Sequence, residues 1–106
     1  MNELIEITSV EDYKNAIKNK CIMIFSAQWC PDCHFMKTYI NDIINENKDY
    51  IFYYVDRDKM IDLCIDLEIL GIPSFVAYNQ GKEIGRFVSK LRKTKEEVQM
   101  FINGCE

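Results

Sequence analysis

The sequence predicts an α/β fold in which a central mixed sheet is sandwiched by helices. Short apolar and β-branched segments alternate with segments of helical periodicity along most of the chain. The last two extended segments are separated only by Asn79-Gln80-Gly81, which predicts an antiparallel hairpin. With 106 residues, 48% of them hydrophobic, the chain is expected to form one domain over residues 1–106 with a core sufficient for folding.

The first half of the chain predicts two strands and two helices. Leu4 to Ile7 is a short strand, and Ser9 is placed to cap a helix of about ten residues. The nearly continuous apolar run from Cys21 to Ser26 is typical of a central strand covered on both faces. A long amphipathic helix is then expected from about residue 30 or 31 to Asn45, because apolar residues recur at helical spacing.

The second half predicts a strand, a helix, the hairpin and a last helix. Helices between successive strands imply parallel pairing, so the expected order is β-α-β-α-β-α-β-β-α. The predicted elements are a strand over Tyr50–Val55, a helix capped by Asp58 and ended before Gly71 and Pro73, hairpin strands over Ser74–Tyr78 and Lys82–Val88, and a helix that begins at a Thr94–Glu97 capping box and ends at Gly104.

Charge and hydropathy exclude several classes of partner. The formal charge of −4 argues against nucleic-acid binding, and the basic run from Lys90 to Lys95 is interpreted as a solvated link. No charged N-terminal region precedes an apolar stretch, and no apolar run approaches a membrane span, so neither an export signal nor a membrane partner is expected. Five cysteines without an export signal predict a cytoplasmic protein whose thiols are mostly free.

Cys30 and Cys33 stand three residues apart at the predicted strand-to-helix junction. With Cys30 at the N-cap, Pro31 falls at the first helical position, where its missing N–H costs nothing. The helix N-terminus favours a thiolate at Cys30, and Cys33 lies one turn further in, close enough for a disulfide yet more shielded. Cys30 is therefore the expected attacking thiol and Cys33 the resolving thiol of a redox-active disulfide.

A structural metal site is the alternative interpretation of this cysteine pair. Zinc needs four ligands, and the sequence has no second pair at this spacing and only one histidine, His34. Cys30, Cys33, His34 and Cys64 are conceivable ligands, but this set is disfavoured and no metal is expected.

The run from Phe25 to Cys33, the pair Val55-Asp56, the tripeptide Gly71-Ile72-Pro73 and the turn glycine Gly81 occur in an order and spacing that resemble thioredoxin-like proteins. The resemblance covers nearly the whole chain. Its W-C-P-D-C form is most similar to the subgroup of thioredoxin-related proteins, since thioredoxin proper has W-C-G-P-C. The resemblance implies a thioredoxin fold and a thiol–disulfide oxidoreductase that needs no cofactor beyond its own disulfide.

The resemblance also implies how substrates and reductants bind. It implies a cis peptide bond between Ile72 and Pro73, beside the thiols, with a loop backbone that pairs with the substrate, and it places Trp29 in the docking surface. The implied substrates are disulfide-containing proteins or small disulfides. The implied source of electrons is a flavoprotein thioredoxin reductase or a low-molecular-weight thiol, and the protein is expected to be a monomer.

Departures from the family pattern fall around the same site. Thioredoxin proper has a buried Asp–Lys pair at the positions that correspond to Ile24 and Phe52, and a glycine where this chain has Ser89. Pro31, Asp32 and His34 are the expected modulating residues. Asp32 either opposes the attraction of the helix dipole for a thiolate, and so favours a reductant, or is simply a favourable residue in the first turn of the helix. His34 either relays protons to Cys33 or simply faces solvent.

Two other functions are kept as alternatives to a dithiol reductase. One is a glutaredoxin-like enzyme that acts on mixed disulfides with a single cysteine, against which Trp29 and the full-length pattern argue. The other is a binding module with a vestigial cysteine pair, which the apolar residues Ile24 and Phe52 and the replacement Ser89 keep open.

Overall fold

A computed structural model describes residues 4–105 of the chain. Within that range, strands and helices alternate much as the sequence predicts. The elements are β1 (Leu4–Ile7), α1 (Val10–Ala16), β2 (Cys21–Ser26), α2 (Pro31–Lys37), α3 (Ile40–Glu46), β3 (Ile51–Asp56), α4 (Ile61–Asp66), β4 (Ser74–Asn79), β5 (Lys82–Phe87) and α5 (Lys95–Asn103).

The strands form one mixed sheet in the order β1-β3-β2-β4-β5. β3 pairs in parallel with both β1 and β2, whereas β4 runs antiparallel to β2 and to β5. All six residues of β2 are buried, as the apolar run predicts for a central strand. The turn between β4 and β5 places Gln80 and Gly81 at positive φ angles of 54° and 82°, as two-residue hairpin turns prefer.

Helices cover both faces of the sheet, so the predicted α/β sandwich is confirmed. On one face, Ile22 and Ile24 of β2 pack with Met36, Ile43 and other residues of α2, α3 and α5. On the opposite face, side chains of the same strand pack with residues of α1 and α4. Successive residues of a strand point to opposite faces, which is why one strand serves both cores.

The long helix expected to end near Asn45 is instead two helices, α2 and α3, broken at Thr38 and Tyr39. Tyr39 has φ −129° and ψ −10°, outside the helical region. The Thr38 hydroxyl donates to the carbonyl of Phe35 at 2.7 Å, a local bond that competes with helical pairing. The Tyr39 side chain is buried, and its hydroxyl donates to the carbonyl of Lys93 at 2.8 Å. The apolar periodicity continues across the break and therefore does not reveal it.

The caps predicted at Ser9 and at Thr94 are confirmed. Ser9 Oγ accepts from Asp12 N at 3.0 Å, and Thr94 and Glu97 form the expected capping box. The cap predicted at Asp58 is wrong, because α4 begins at Ile61 and has no side-chain cap. The carboxylate of Asp58 accepts a hydrogen bond from Trp29 instead.

Among the described residues, no helix has the length and apolar character that would be needed to cross a membrane.

Candidate active site

Cys30 and Cys33 lie where the central strand β2 passes into α2, as predicted. Cys30 is the N-cap of α2, with extended φ and ψ angles of −83° and 117°, and Pro31 occupies the first turn. The Sγ atom of Cys30 accepts from the backbone N–H of Cys33 at 3.3 Å. This backbone donor favours negative charge on that sulfur, which is the property that an attacking thiol requires.

Cys33 is fully buried, whereas Cys30 retains a 5% exposed fraction. Burial raises the pKa of the Cys33 thiol above its ordinary value, and the hydrogen bond with the Cys30 side chain raises it further. Both residues are free thiols in this structure. The pair is therefore asymmetric, with one thiol at the surface opening and one enclosed behind it.

The loop that precedes β4 lies against this pair. The bond between Ile72 and Pro73 is cis, as the resemblance implies. The Ile72 side chain packs on the small cluster formed by Ala27, Cys30 and Cys33. The Ile72 carbonyl accepts from Cys30 Sγ at 3.7 Å, so this loop reaches the sulfur itself.

Trp29 stands beside the thiols with 60% of its surface exposed. Its Nε1 donates to Asp58 Oδ2 at 2.7 Å, which orients the indole ring while leaving its face open to solvent. A large apolar ring held in this way next to a reactive sulfur is suited to contact a docked partner.

Comparison with known proteins decides the family, because a family model described as thioredoxin matches residues 4–104. The chain belongs to the thioredoxin family. It is 31% identical over 103 residues to the H-type thioredoxin of Brassica campestris, covering 92% of this chain and 81% of that protein. It is also 31% identical over 104 residues to thioredoxin of Mus musculus, covering 94% of this chain and 96% of the mouse protein. The W-C-P-D-C subgroup stays a prediction.

Solved structures of thioredoxins have the same fold. Mitochondrial thioredoxin 3 of Saccharomyces cerevisiae matches with a TM-score of 0.81 and 24% identity, covering 94% of each chain. Thioredoxin of Fasciola hepatica matches with a TM-score of 0.84 and 20% identity, covering 97% of this chain and 100% of the other. At this level of identity the matches show the fold alone, and the thioredoxin fold predicted from the sequence is confirmed.

Asp32 and His34, the predicted modulating residues, both have partners away from the thiols. Asp32 Oδ1 accepts from Arg92 Nε at 2.8 Å, and the Arg92 guanidinium lies 4.5 Å from the centre of the Phe35 ring. His34 is exposed, and its Nε2 pairs with the carbonyl oxygen of Gln28. The ring therefore faces solvent, and no hydrogen bond joins it to Cys33 within residues 4–105. The effect of Asp32 on the pair stays a prediction.

The strand register shows what surrounds the two positions at which thioredoxin proper has its buried pair. Ile24 is fully buried, but its partner across β3 is Tyr54, whereas Phe52 pairs with Ile22. The residue directly opposite Ile24 is therefore a phenol. Burial raises the pKa of Tyr54, and nearby negative groups raise it further. Phe52 lies two residues before Tyr54 on β3 and belongs to the same buried cluster as Ile24, so both positions face one side of the sheet.

Lys93 is a buried cation near the site that the sequence analysis missed. Its interpretation as part of a solvated basic link is wrong, since only 1% of its surface is exposed. Its Nζ donates to the carbonyls of Ser89 at 3.0 Å and Leu91 at 2.9 Å. Burial lowers the pKa of Lys93, and the charges of Asp32 and Cys33 oppose that effect. A lysine just before an N-cap carries no sequence signal of burial, because it is ordinarily solvated.

A groove of about 340 Å³ opens beside Cys30, between Trp29 and Ile72. Its other walls include Arg57 and Leu70, which the sequence analysis did not single out, and Lys90, which it interpreted only as part of a solvated link. They come from three separate loops, so their proximity depends on the tertiary fold. Across residues 4–105, the structure brings no three His, Cys, Asp or Glu side chains together in a way that could hold a metal ion.

Proposed function

We propose that this chain is a thiol–disulfide oxidoreductase that reduces disulfides of proteins or small molecules by a dithiol mechanism. The observation that carries the proposal is the Cys30 sulfur, which caps α2 and accepts from Cys33 N beside the loop of Ile72. Membership of the thioredoxin family supports the same activity. Cys30 and Cys33 are the proposed catalytic residues.

The proposed cycle transfers two electrons in two exchange steps. The Cys30 thiolate attacks one sulfur of the substrate disulfide, forms a mixed disulfide and releases the other sulfur as a thiolate. Cys33 then loses its proton and attacks Cys30 Sγ, which releases the second substrate thiol and leaves a Cys30–Cys33 disulfide. A flavoprotein thioredoxin reductase or a low-molecular-weight thiol donor restores the two thiols.

The neighbouring residues are assigned to substrate binding. Ile72 and Pro73 form the loop whose backbone would pair with an extended substrate segment, and Trp29 supplies the exposed apolar contact. Pro31 sets the first turn of α2, and Asp32 is held by Arg92 next to the pair. No cofactor beyond the cysteine pair enters the proposed cycle, and a cytoplasmic monomer is the expected form.

Reduction of insulin with dithiothreitol as electron donor tests the catalytic roles. Cys30→Ser should abolish turnover, because the attacking sulfur is absent. Reduced Cys33→Ser, freed of dithiothreitol and mixed with insulin, should form the first mixed disulfide and then stall, so a covalent adduct should accumulate and be seen by mass spectrometry. Cys64→Ala serves as the control, because it removes a cysteine outside the pair, and it should retain turnover.

The redox potential of the pair tests the direction of electron flow. Equilibration in graded thiol–disulfide buffers should give a reversible two-electron transition near or below roughly −230 mV for a reductant. A value toward roughly −120 mV would identify an oxidant and contradict the proposed direction. Full turnover by Cys33→Ser would favour the monothiol, glutaredoxin-like alternative, and the absence of any transition would favour a binding module.

A further inference from the structure

The groove beside Cys30 is lined by two cations, Arg57 and Lys90, and one carboxylate, Asp32, although the whole chain carries a formal charge of −4. Lys90 is exposed at its rim, and no carboxylate lies within 4.0 Å of its ammonium in the described part of the chain. Arg57 lines the same groove, and its nearest carboxylate contact is Asp58 at 3.8 Å. Two positive groups thus face the space that a substrate would enter.

The acidic groups near this groove already have partners. The Asp32 carboxylate accepts from Arg92 at 2.8 Å. The Asp58 carboxylate accepts from Trp29 at 2.7 Å in addition to its contact with Arg57. The buried ammonium of Lys93 adds a further positive charge behind the loop that carries Lys90. Among these groups, four cations stand against two carboxylates, so the balance of charge around the groove is positive.

Large apolar side chains accompany these cations. Trp29 and Leu70 line the groove with 60% and 73% of their surfaces exposed, and Leu91 follows Lys90 in the chain with 75% exposed. Exposed apolar groups next to cations suit an amphipathic segment better than a purely polar or a purely apolar one.

On the basis of the function proposed above, we infer that the groove selects disulfides in acidic protein segments, in which carboxylates flank the cysteine next to an apolar residue. The carboxylates would pair with Lys90 and Arg57, and the apolar residue would contact Trp29 and Leu70. The net negative charge of the chain repels an acidic partner at long range. The selection therefore depends on contacts within about one Debye length, roughly 8–10 Å at physiological salt.

Three disulfide peptides of equal length test the inference directly. Their cysteines would be flanked by Glu, by Gln or by Lys beside a common Leu, and kcat/KM for reduction would be measured with dithiothreitol as donor. The rate of each peptide with dithiothreitol alone corrects for differences in intrinsic reactivity. We expect the Glu peptide to be favoured over the Lys peptide by roughly tenfold at low ionic strength, and less at high salt.

A pair of charge reversals locates the effect. Lys90→Glu should remove most of the preference for the Glu peptide. Lys82→Glu is the matched control, because it makes the same charge change at the exposed hairpin end of β5. The groove lies near the other end of β4, which begins directly after Pro73. A strand of this length spans about 17 Å, so Lys82 is about that far from the groove. Lys82→Glu should leave the preference intact.

Each contrary outcome has a separate meaning. Equal corrected rates for the three peptides would overturn the inference and leave the proposed reductase activity standing. An equal loss of preference in Lys90→Glu and Lys82→Glu would assign the effect to net charge and would also overturn it. If no peptide is reduced by the wild-type protein, the proposed function itself fails.

Discussion

The two thiols of the pair differ because the fold gives them different surroundings. The Sγ atom of Cys30 accepts a hydrogen bond from the backbone N–H of Cys33, and Cys30 borders the groove, whereas Cys33 has no exposed surface. Burial therefore holds the pKa of Cys33 above its ordinary value. In the proposed cycle, this difference sets the order of the two steps. Cys30 is accessible and attacks the substrate first, whereas Cys33 must lose its proton inside the protein before it can release the substrate.

The pH dependence of the release step follows from this burial. Rapid mixing of the reduced protein with an aromatic disulfide reagent should give two releases of coloured thiolate, the second from attack by Cys33. A raised pKa keeps Cys33 protonated, so the second rate should rise about tenfold per pH unit and still be rising at pH 9. A plateau below pH 9 would contradict the assignment. Cys33→Ser should show the first release only.

At the residue scale, the sequence predicts those features that depend on residues close by in the chain. The N-cap at Cys30 and the place of Pro31 depend on the helix that immediately follows, and both are confirmed. The burial of Lys93 depends on carbonyls that a folded loop provides, and the partner of Ile24 depends on strand register. Both lie beyond local pattern, so the burial of Lys93 is mispredicted and the register partner of Ile24 is not predicted at all.

At the scale of elements, the loop over residues 88–94 connects β5 with α5 and supports the active site from behind. The Lys93 ammonium binds the Ser89 and Leu91 carbonyls and so fixes the shape of the loop. Arg92 reaches from this loop to Asp32 at the start of α2. The Ser89 backbone lies against Gly71, two residues before Pro73. One loop therefore holds both the α2 start and the segment proposed to bind substrate.

Gly71→Ala tests whether this contact is needed. A Cβ atom at Gly71 would lie 2.1 Å from the Ser89 carbonyl oxygen, so backbone must move. We expect a loss of about 1–3 kcal/mol in the free energy of unfolding, measured by urea denaturation, and a lower rate of disulfide reduction. Gly104→Ala is the control, because its nearest contact would be an ordinary 3.6 Å, and its change should stay within about 0.5 kcal/mol. Equal effects of the two substitutions would contradict the prediction.

Elements with strong local signals were predicted well, and those shaped by tertiary contacts were not. The buried central strand, the hairpin turn and the Thr94 capping box all follow from short patterns. The break at Tyr39 follows from a hydrogen bond to Lys93, far away in the chain. The failed cap at Asp58 has a similar cause, since Trp29 engages that carboxylate.

At the scale of the whole molecule, the two cores on either side of the sheet enclose thiols and phenols as well as hydrocarbon groups. Cys21 lies in the central strand and Cys64 in α4, and both are buried with the second cluster. Tyr39 lies in the first cluster, between α2 and α3. These groups are neutral at physiological pH, so they pack as apolar side chains, and their ionisation would place charge within the cores.

Stability should consequently fall in alkaline solution. Burial raises the pKa of Cys21 from 9.0 to about 12, of Cys64 from 9.0 to about 11 and of Tyr39 from 10.0 to about 12. The unfolded chain loses these protons first, so the stabilisation is complete below about pH 9 and is lost as the pH rises toward the folded values. Lys93 acts in the opposite sense, because burial lowers its pKa, but it is one group against these three and other buried thiols and phenols such as Cys33 and Tyr54.

Urea denaturation of the reduced protein at pH 7, 9 and 10.5 measures this effect. The free energy of unfolding should be nearly constant up to about pH 9 and should then decrease. Cys21→Ala leaves a small cavity, so the free energy of unfolding of the variant should be lower at pH 7. The variant also lacks one thiol with a raised pKa, so its free energy of unfolding should fall less steeply above pH 9. Parallel pH profiles for the two proteins would show that Cys21 is not the source, and a rise in wild-type stability above pH 9 would show that the Lys93 contribution dominates.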